Sequence, residues 1–209
     1  MTRKTSKKSK TFKVLTIGDG AIGKTSLLLT LIGRTDLFTK DGQPNLSYTP
    51  TVFEQYSHTI FSKDEIPYEL DLWDSAGQEE FDSIRQLTYD NIDLFLVCFS
   101  VDSIDSLTNV EEKWVGEIEK YSPDTECILV GTKSDLRKDE EYFDKILPDQ
   151  MIRRVKNKYR FFNCYVETSS VTQDNIVGLS QKMVQVLSDI EERNARDNEG
   201  SCLKCCNLM

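Results

Sequence analysis

The apolar residues of this chain fall into short dense runs separated by longer polar ones. Phe12 to Ile17, Ile92 to Phe99 and Cys127 to Gly131 are almost continuously apolar, as in strands covered on both faces. Val52 to Phe61 and Tyr68 to Trp73 predict two strands joined by the polar turn SKDEIP, and Phe161 to Val166 predicts a sixth strand. Helices are expected over about 24–33, 104–121, 149–159 and 173–193. In the last of these, Ile176, Leu179, Met183, Leu187 and Ile190 recur every three or four residues and make one apolar face. Residues 34–50 hold turn formers without a period and read as a loop long enough to suggest function rather than plain connection. Residues 74–90 are polar and irregular, and 136–148 are charged with room for a short helical turn. Strands alternating with helices imply an α/β, doubly wound, mostly parallel six-stranded central sheet with helices on both faces, its ligand lying at the C-terminal ends of the strands.

The chain has 209 residues, enough for one well-cored domain with tails. Residues 1–11 read as a basic flexible N-terminal extension, 12–193 as the domain and 194–209 as a flexible tail. Net charge is −9, which argues against nucleic acid as the main partner. The charge is uneven: residues 1–13 carry six basic residues and no acid, leaving −15 on the remainder. Cys98, Cys127 and Cys164 lie in apolar runs and read as buried, reduced thiols, whereas Cys202, Cys205 and Cys206 crowd the C-terminus. No apolar run reaches the ~18 residues of a membrane helix, and no signal peptide is visible, so a reducing cytosolic setting is expected.

Between the first strand and the first helix stands GDGAIGKT, residues 18–25, which fits the pattern G-x-x-x-x-G-K-T. Glycines at 18, 20 and 23 let the backbone bring its N–H groups close to phosphate oxygens. The helix N-terminus behind them adds partial positive charge. Lys24 can reach the β- and γ-phosphates and the Thr25 hydroxyl can ligate Mg²⁺. The expected nucleotide-binding set here is Gly20, Ala21, Ile22, Gly23, Lys24, Thr25 and Ser26.

Two further stretches follow strands. In DSAGQE, residues 74–79, Asp74 ends a strand and fits the carboxylate behind a Mg²⁺ shell. Gly77 leaves its N–H open to a γ-phosphate, and Gln78 can orient an attacking water. In TKSD, residues 132–135, the Asp135 carboxylate can accept both guanine N1–H and N2–H₂, a demand adenine cannot meet. The Lys133 stem can cover the base face.

The ordered set GDGAIGKT, YTPTVF (48–53), DSAGQE, TKSD and ETSS (167–170) resembles the Ras superfamily of small GTPases. PTVFEQY (50–56), LWDSAGQEEFDSIRQLTY (72–89) and CFSVDSIDSL with EKW (98–114) are similar to its Rho/Rac family. The resemblance implies a P-loop GTPase fold over 12–193, GTP/GDP as ligand and Mg²⁺ as cofactor. It implies that Thr51 ligates Mg²⁺ and meets the γ-phosphate, that Tyr48 closes over the phosphates, and that Ser169 and Ser170 offer backbone N–H groups to the guanine carbonyl. Thr132 joins the guanine site, and Phe38 is the candidate ring packing on the base. Val52, Phe53 and Glu54 become effector-binding candidates. Lys24 and Gln78 carry hydrolysis, and no arginine in these motifs stands as a cis finger, so a partner is expected to supply one. Exchange factors, GTPase-activating proteins, a dissociation inhibitor and effectors are the implied partners of a monomeric switch, with actin signalling the implied setting. The chain departs from the family in Ser170 for alanine, Ser75 for threonine, a longer loop between Lys24 and Thr51, and a shorter 136–150 segment than the Rho insert.

Cys206-Asn207-Leu208-Met209 reads as a C-a-a-X prenylation box, its Met favouring farnesyl. One prenyl chain anchors weakly, so palmitoylation of Cys202 or Cys205 is expected as the second signal, ahead of the N-terminal lysines. Attachment to the cytoplasmic side of the plasma membrane, with a cytosolic pool, follows. Two rival readings are a metabolic P-loop kinase, for which TKSD and the C-terminal box would be coincidence, and a GTPase-like binding module that no longer cycles.

Overall fold

A computed structural model describes residues 9–34, 36–38, 53–62, 64–77 and 81–206, with backbone alone at 84 and 197–206. Its centre is a six-stranded sheet in the order β2-β3-β1-β4-β5-β6. The strands are β1 (Lys10–Ile17), β2 (Phe53–Phe61), β3 (Pro67–Ser75), β4 (Leu94–Ser100), β5 (Glu126–Thr132) and β6 (Phe162–Glu167). β2 runs antiparallel to β3, and all other neighbours are parallel.

The continuous apolar runs are explained by two cores, one on each face. Alternate residues of one strand point to opposite sides. Val14, Leu96, Cys98 and Val130 therefore join one cluster, and Leu15, Ile17, Val97, Phe99 and Leu129 join the other. On the first face pack α1 (Lys24–Leu31) and α6 (Ile176–Cys206), through Leu27, Leu28, Leu179 and Met183. On the second pack α3 (Ile104–Asn109), a π-helical turn at Val110–Trp114, α4 (Val115–Tyr121) and α5 (Asp149–Lys158). Deep in that second cluster lie Leu107, Val110, Trp114, Ile118 and Ile152. Edge strand β2 buries only Ile60, so its sequence alternates weakly.

Three expectations change. The polar stretch 74–90 contains a short helix, α2 (Asp82–Gln86), and within it Arg85 is only 1% exposed. Cys98 and Cys127 are buried as expected, but Cys164 is half-exposed because β6 is an edge strand. Finally, α6 begins at Ile176 rather than near 173 and continues past 193 to Cys206. No proline interrupts 194–206, and Glu192 and Arg196 pair one turn apart at 3.0 Å. The 136–148 segment holds two 3₁₀ turns, at Ser134–Lys138 and Glu140–Tyr142.

Candidate nucleotide and phosphate site

The three motif loops follow β1, β3 and β5 and so meet at one edge of the sheet. Gly18 turns the chain out of β1 at φ 141°, a conformation that favours glycine. A Cβ there would stand 2.4 Å from the Cys98 carbonyl oxygen, so no larger residue fits. Gly23, also left-handed at φ 96°, is the N-cap of α1 and supplies no capping side chain. The first turn of α1 also lacks an acid. A helix start with neither a capping side chain nor an acid in its first turn is the setting in which helix N-termini bind anions.

Lys24 lies over this loop, 6% exposed. Its Nζ donates to the carbonyls of Gly18 at 2.9 Å and Asp19 at 2.7 Å. Burial pushes the ammonium below the usual lysine range, and Asp74 only partly opposes this. A buried cation held by neutral carbonyls suits a phosphate, which would return the charge partner that water no longer provides.

Across the sheet, Thr16 of β1 is in register with Asp74 of β3. That register carries Asp74 to the P-loop, where the Thr25 hydroxyl donates to its Oδ2 at 2.5 Å. Two residues 49 apart in sequence are thereby joined. Ser75 secures the strand end by donating to the Thr16 carbonyl at 2.6 Å. Gly77 then passes so close to the P-loop that a Cβ would lie 2.3 Å from the Asp19 carbonyl carbon and 2.4 Å from Gly18 O and Gly20 N. Only glycine permits this approach. The donor set fits Mg²⁺ chemistry: a hydroxyl oxygen and a carboxylate oxygen, hard ligands for a hard cation, stand beside the anion-seeking loop.

At the other end, β5 delivers Thr132, whose hydroxyl engages the Ile22 carbonyl at 2.6 Å and the Phe99 carbonyl at 3.0 Å. Thr132 is thus turned to the P-loop and to β4. Lys133 adopts φ 59°, ψ 39°, left-handed for a residue with a side chain, a strain of the kind that persists where surrounding structure enforces it. The loops after β5 and β6 are tied by Ser134 N–H to Thr168 O at 3.0 Å and Thr168 N–H to Gly131 O at 2.8 Å. The Ser169 hydroxyl donates to Asp135 at 2.5 Å, and its backbone N–H goes to Asp174 O at 3.1 Å. The amide expected of Ser169 is therefore engaged within the protein, and its side chain is what touches the Asp135 carboxylate. Ser170, half-buried, follows it.

Phe38 is partly buried beside buried Leu37. Phe53 packs edge-on to Trp73 at 4.9 Å, and Glu54 is exposed on the same strand. Tyr48, Thr51, Val52 and Gln78 lie outside the described residues, as do the side chains of Cys202, Cys205 and Cys206. The sequence reading missed Arg85, Asn109 and Trp114, which contact the P-loop or the segment carrying Gly77, and Glu117, which holds Arg85. No local pattern marked them, because each acts on a partner remote in the chain.

A P-loop feeding a helix, a carboxylate from β3 against it and an acid-bearing loop after β5 together define a nucleoside-triphosphate-binding α/β domain. Residues 13–189 match the family model described as the Ras family. The chain is 35% identical over 203 residues to the Rho-related GTP-binding protein RhoB of Homo sapiens, covering 94% of this chain and 97% of the relative. The RhoB proteins of Mus musculus and Rattus norvegicus match to the same extent. The chain belongs to the Ras superfamily, as a small GTPase of the Rho type.

Proposed function

We propose that this protein is a GTP/GDP-cycling switch that hydrolyses GTP slowly alone, is accelerated by an activating partner and binds effectors in its GTP state at a membrane. The observation that carries the reading is the Thr25–Asp74 contact at 2.5 Å, with Gly77 lodged against the P-loop beyond it. It supports a single site in which the phosphate end of a nucleotide touches both the P-loop and the segment after β3. Lys24 and the amides from Gly20 to Ser26 would bind the phosphates, and Gly77 N–H would face the terminal one. Thr25 and Thr51 would hold Mg²⁺ with Asp74 behind them, and the ion would offset phosphate charge. Gln78 would orient water for attack. Asp135 would choose guanine, with Lys133 over the base, Ser170 at its carbonyl and Phe38 as the packing ring.

Arg85 supports the need for an arginine from a partner, since its guanidinium is committed inside the protein. It donates to Ala76 O at 2.9 Å, Asp82 at 2.6 Å and Glu117 at 2.8 Å. Burial alone would lower its pKa, but the Glu117 and Asp82 hydrogen bonds more than reverse that. In the GTP state Val52, Phe53 and Glu54 would form the effector edge, served by the exchange factors, activating proteins and dissociation inhibitor of a Rho-type cycle and read out in actin signalling. Residues 1–11 would be a basic arm, 12–193 the GTPase domain and 194–209 the lipid-bearing tail, prenylated at Cys206 and palmitoylated at Cys202 or Cys205. The site of action would be the cytoplasmic face of the plasma membrane, with a cytosolic pool.

Single-turnover hydrolysis on purified protein tests the core of this reading. Wild type should bind labelled GDP, exchange it for GTP and hydrolyse it. Gln78→Leu should bind equally and hydrolyse at least tenfold more slowly when an activating protein is present. GTP that is bound but never cleaved by wild type, with or without that protein, would leave a binding module instead of a switch.

A further inference from the structure

The Asp19 side chain is held by two donors from one helix. Trp114 Nε1 donates to Asp19 Oδ1 at 2.8 Å, and Asn109 Nδ2 donates to Oδ2 at 2.7 Å. Asn109 and Trp114 are five residues apart. In an α-helix that spacing separates side chains by about 140° around the axis. Here the intervening turn, Val110–Trp114, is π-helical, and the i→i+5 repeat brings both donors to one side. The irregularity between α3 and α4 therefore lets one helix grip both oxygens of one carboxylate.

The same indole also receives Arg85. The guanidinium carbon lies 4.6 Å from the Trp114 ring centroid, and Trp114 has no exposed surface. Arg85 in turn donates to Ala76 O at 2.9 Å, and its far side is fixed by Glu117. Ala76 precedes Gly77, whose backbone abuts Asp19. The contacts close into a ring: Asp19, Trp114, Arg85, Ala76, Gly77 and back to Asp19. Removing one hydrogen bond from a carboxylate gripped in this way releases a loop whose amides must all aim at one phosphate.

We propose that Trp114 and Asn109 are positioning residues that hold the P-loop for nucleotide through Asp19, and that Trp114, through Arg85, sets the spacing between the P-loop and Gly77. This rests on the nucleotide site proposed above. It predicts that the grip on Asp19 slows nucleotide release. It also predicts that Trp114 senses the terminal phosphate, since the Gly77 segment lies within its ring of contacts.

The test uses full-length protein loaded with fluorescent GDP. Trp114→Phe keeps the aromatic face for Arg85 and removes only the N–H. It should release GDP about tenfold faster, in line with loss of a hydrogen bond to a charged acceptor. Asn109→Leu should act in the same direction. Asp19→Ala/Trp114→Phe should release no faster than Asp19→Ala alone, because Asp19→Ala already removes the acceptor that the Trp114 N–H meets. A general loosening of the fold would instead give additive effects. In a Trp73→Phe background, which leaves Trp114 as the sole tryptophan, emission should change when GDP is replaced by a non-hydrolysable GTP analogue. Wild-type release by Trp114→Phe, additive rates in the double variant or unchanged emission overturns the proposal. Wild-type protein that retains no labelled GDP overturns the nucleotide reading itself, and this inference with it.

Discussion

Ser169 and Asp135, 34 residues apart, share a hydrogen bond of 2.5 Å in which the serine hydroxyl donates to the carboxylate. Ser169 also accepts at its hydroxyl from the Thr172 N–H at 3.1 Å, so its rotamer is fixed from both sides. The role proposed for Asp135, meeting two N–H groups on a base edge, would gain from a carboxylate held in plane. Ser169→Ala should therefore weaken GDP binding roughly ten- to a hundredfold, the loss expected for a hydrogen bond to a charged group, with guanine still preferred. Asp135→Asn should instead reverse the demand at the base edge and favour xanthine. Competition between GTP and XTP reads both variants. A Ser169→Ala protein with wild-type affinity would show that Asp135 needs no support.

Gly77→Ala tests the close approach of the segment after β3 to the P-loop. Its Cβ would sit 2.3–2.4 Å from backbone atoms of residues 18–20, which cannot swing aside as a side chain would. Overpacking of this kind costs about 1–3 kcal/mol. The nucleotide-free variant should unfold at a clearly lower urea midpoint than wild type, and affinity for a GTP analogue should fall more than affinity for GDP. Equal midpoints would mean that the two segments part without cost.

Lys24 should be a residue kept for binding at the expense of stability. Its folded-state pKa lies below the ordinary 10.5, chiefly through burial. Between the folded value and 10.5 the unfolded chain holds more protons, so wild-type stability should rise with pH across that window. Nucleotide-free Lys24→Met should be at least as stable as wild type at neutral pH, and any advantage should shrink as the solution is made alkaline. Its affinity for GTP should drop about a hundredfold, the scale of one strong charge-assisted contact. Urea titrations at several pH values, beside nucleotide titrations, check the opposed signs. A variant less stable at neutral pH would refute the cost of burying this ammonium.

The membrane attachment proposed above would have a geometric component. Glu191 of α6 forms an ion pair with Lys10 and accepts from the Tyr68 hydroxyl at 2.7 Å. The start of β1, and with it the exit of the basic N-terminal arm, therefore lies beside the helix that leads to Cys202, Cys205 and Cys206. Cell fractionation should find Cys206→Ser soluble and Cys202→Ser/Cys205→Ser largely so, because one prenyl chain holds only marginally. Deletion of residues 1–8 should cause a smaller loss, about 1 kcal/mol of attraction to anionic lipid for each lysine near the surface. If the double cysteine variant stays on membranes while the deletion becomes soluble, the basic arm is the second anchor.

What the sequence determined by itself was whatever depends on near neighbours. GDGAIGKT carries its bends, amides, lysine and hydroxyl within eight consecutive residues, so its chemistry was legible before any fold was known. The runs at 92–99 and 127–131 declared strands covered on both sides, because a continuous apolar stretch has no face to give to water. The tertiary structure alone decided which distant side chains meet. Sheet order and register brought Asp74 to Thr25, and the loops after β5 and β6 brought Ser169 to Asp135. Arg85 sits in a polar stretch that looked solvated, yet Glu117 and the Trp114 face make its burial tolerable. Likewise, no pattern in residues 109–114 foretold a π-helical turn. It exists where one helix must present two donors to Asp19, a residue 90 positions earlier in the chain from Asn109. Local propensity cannot encode such a partner, since the free energy that selects it is gained only once the sheet has assembled.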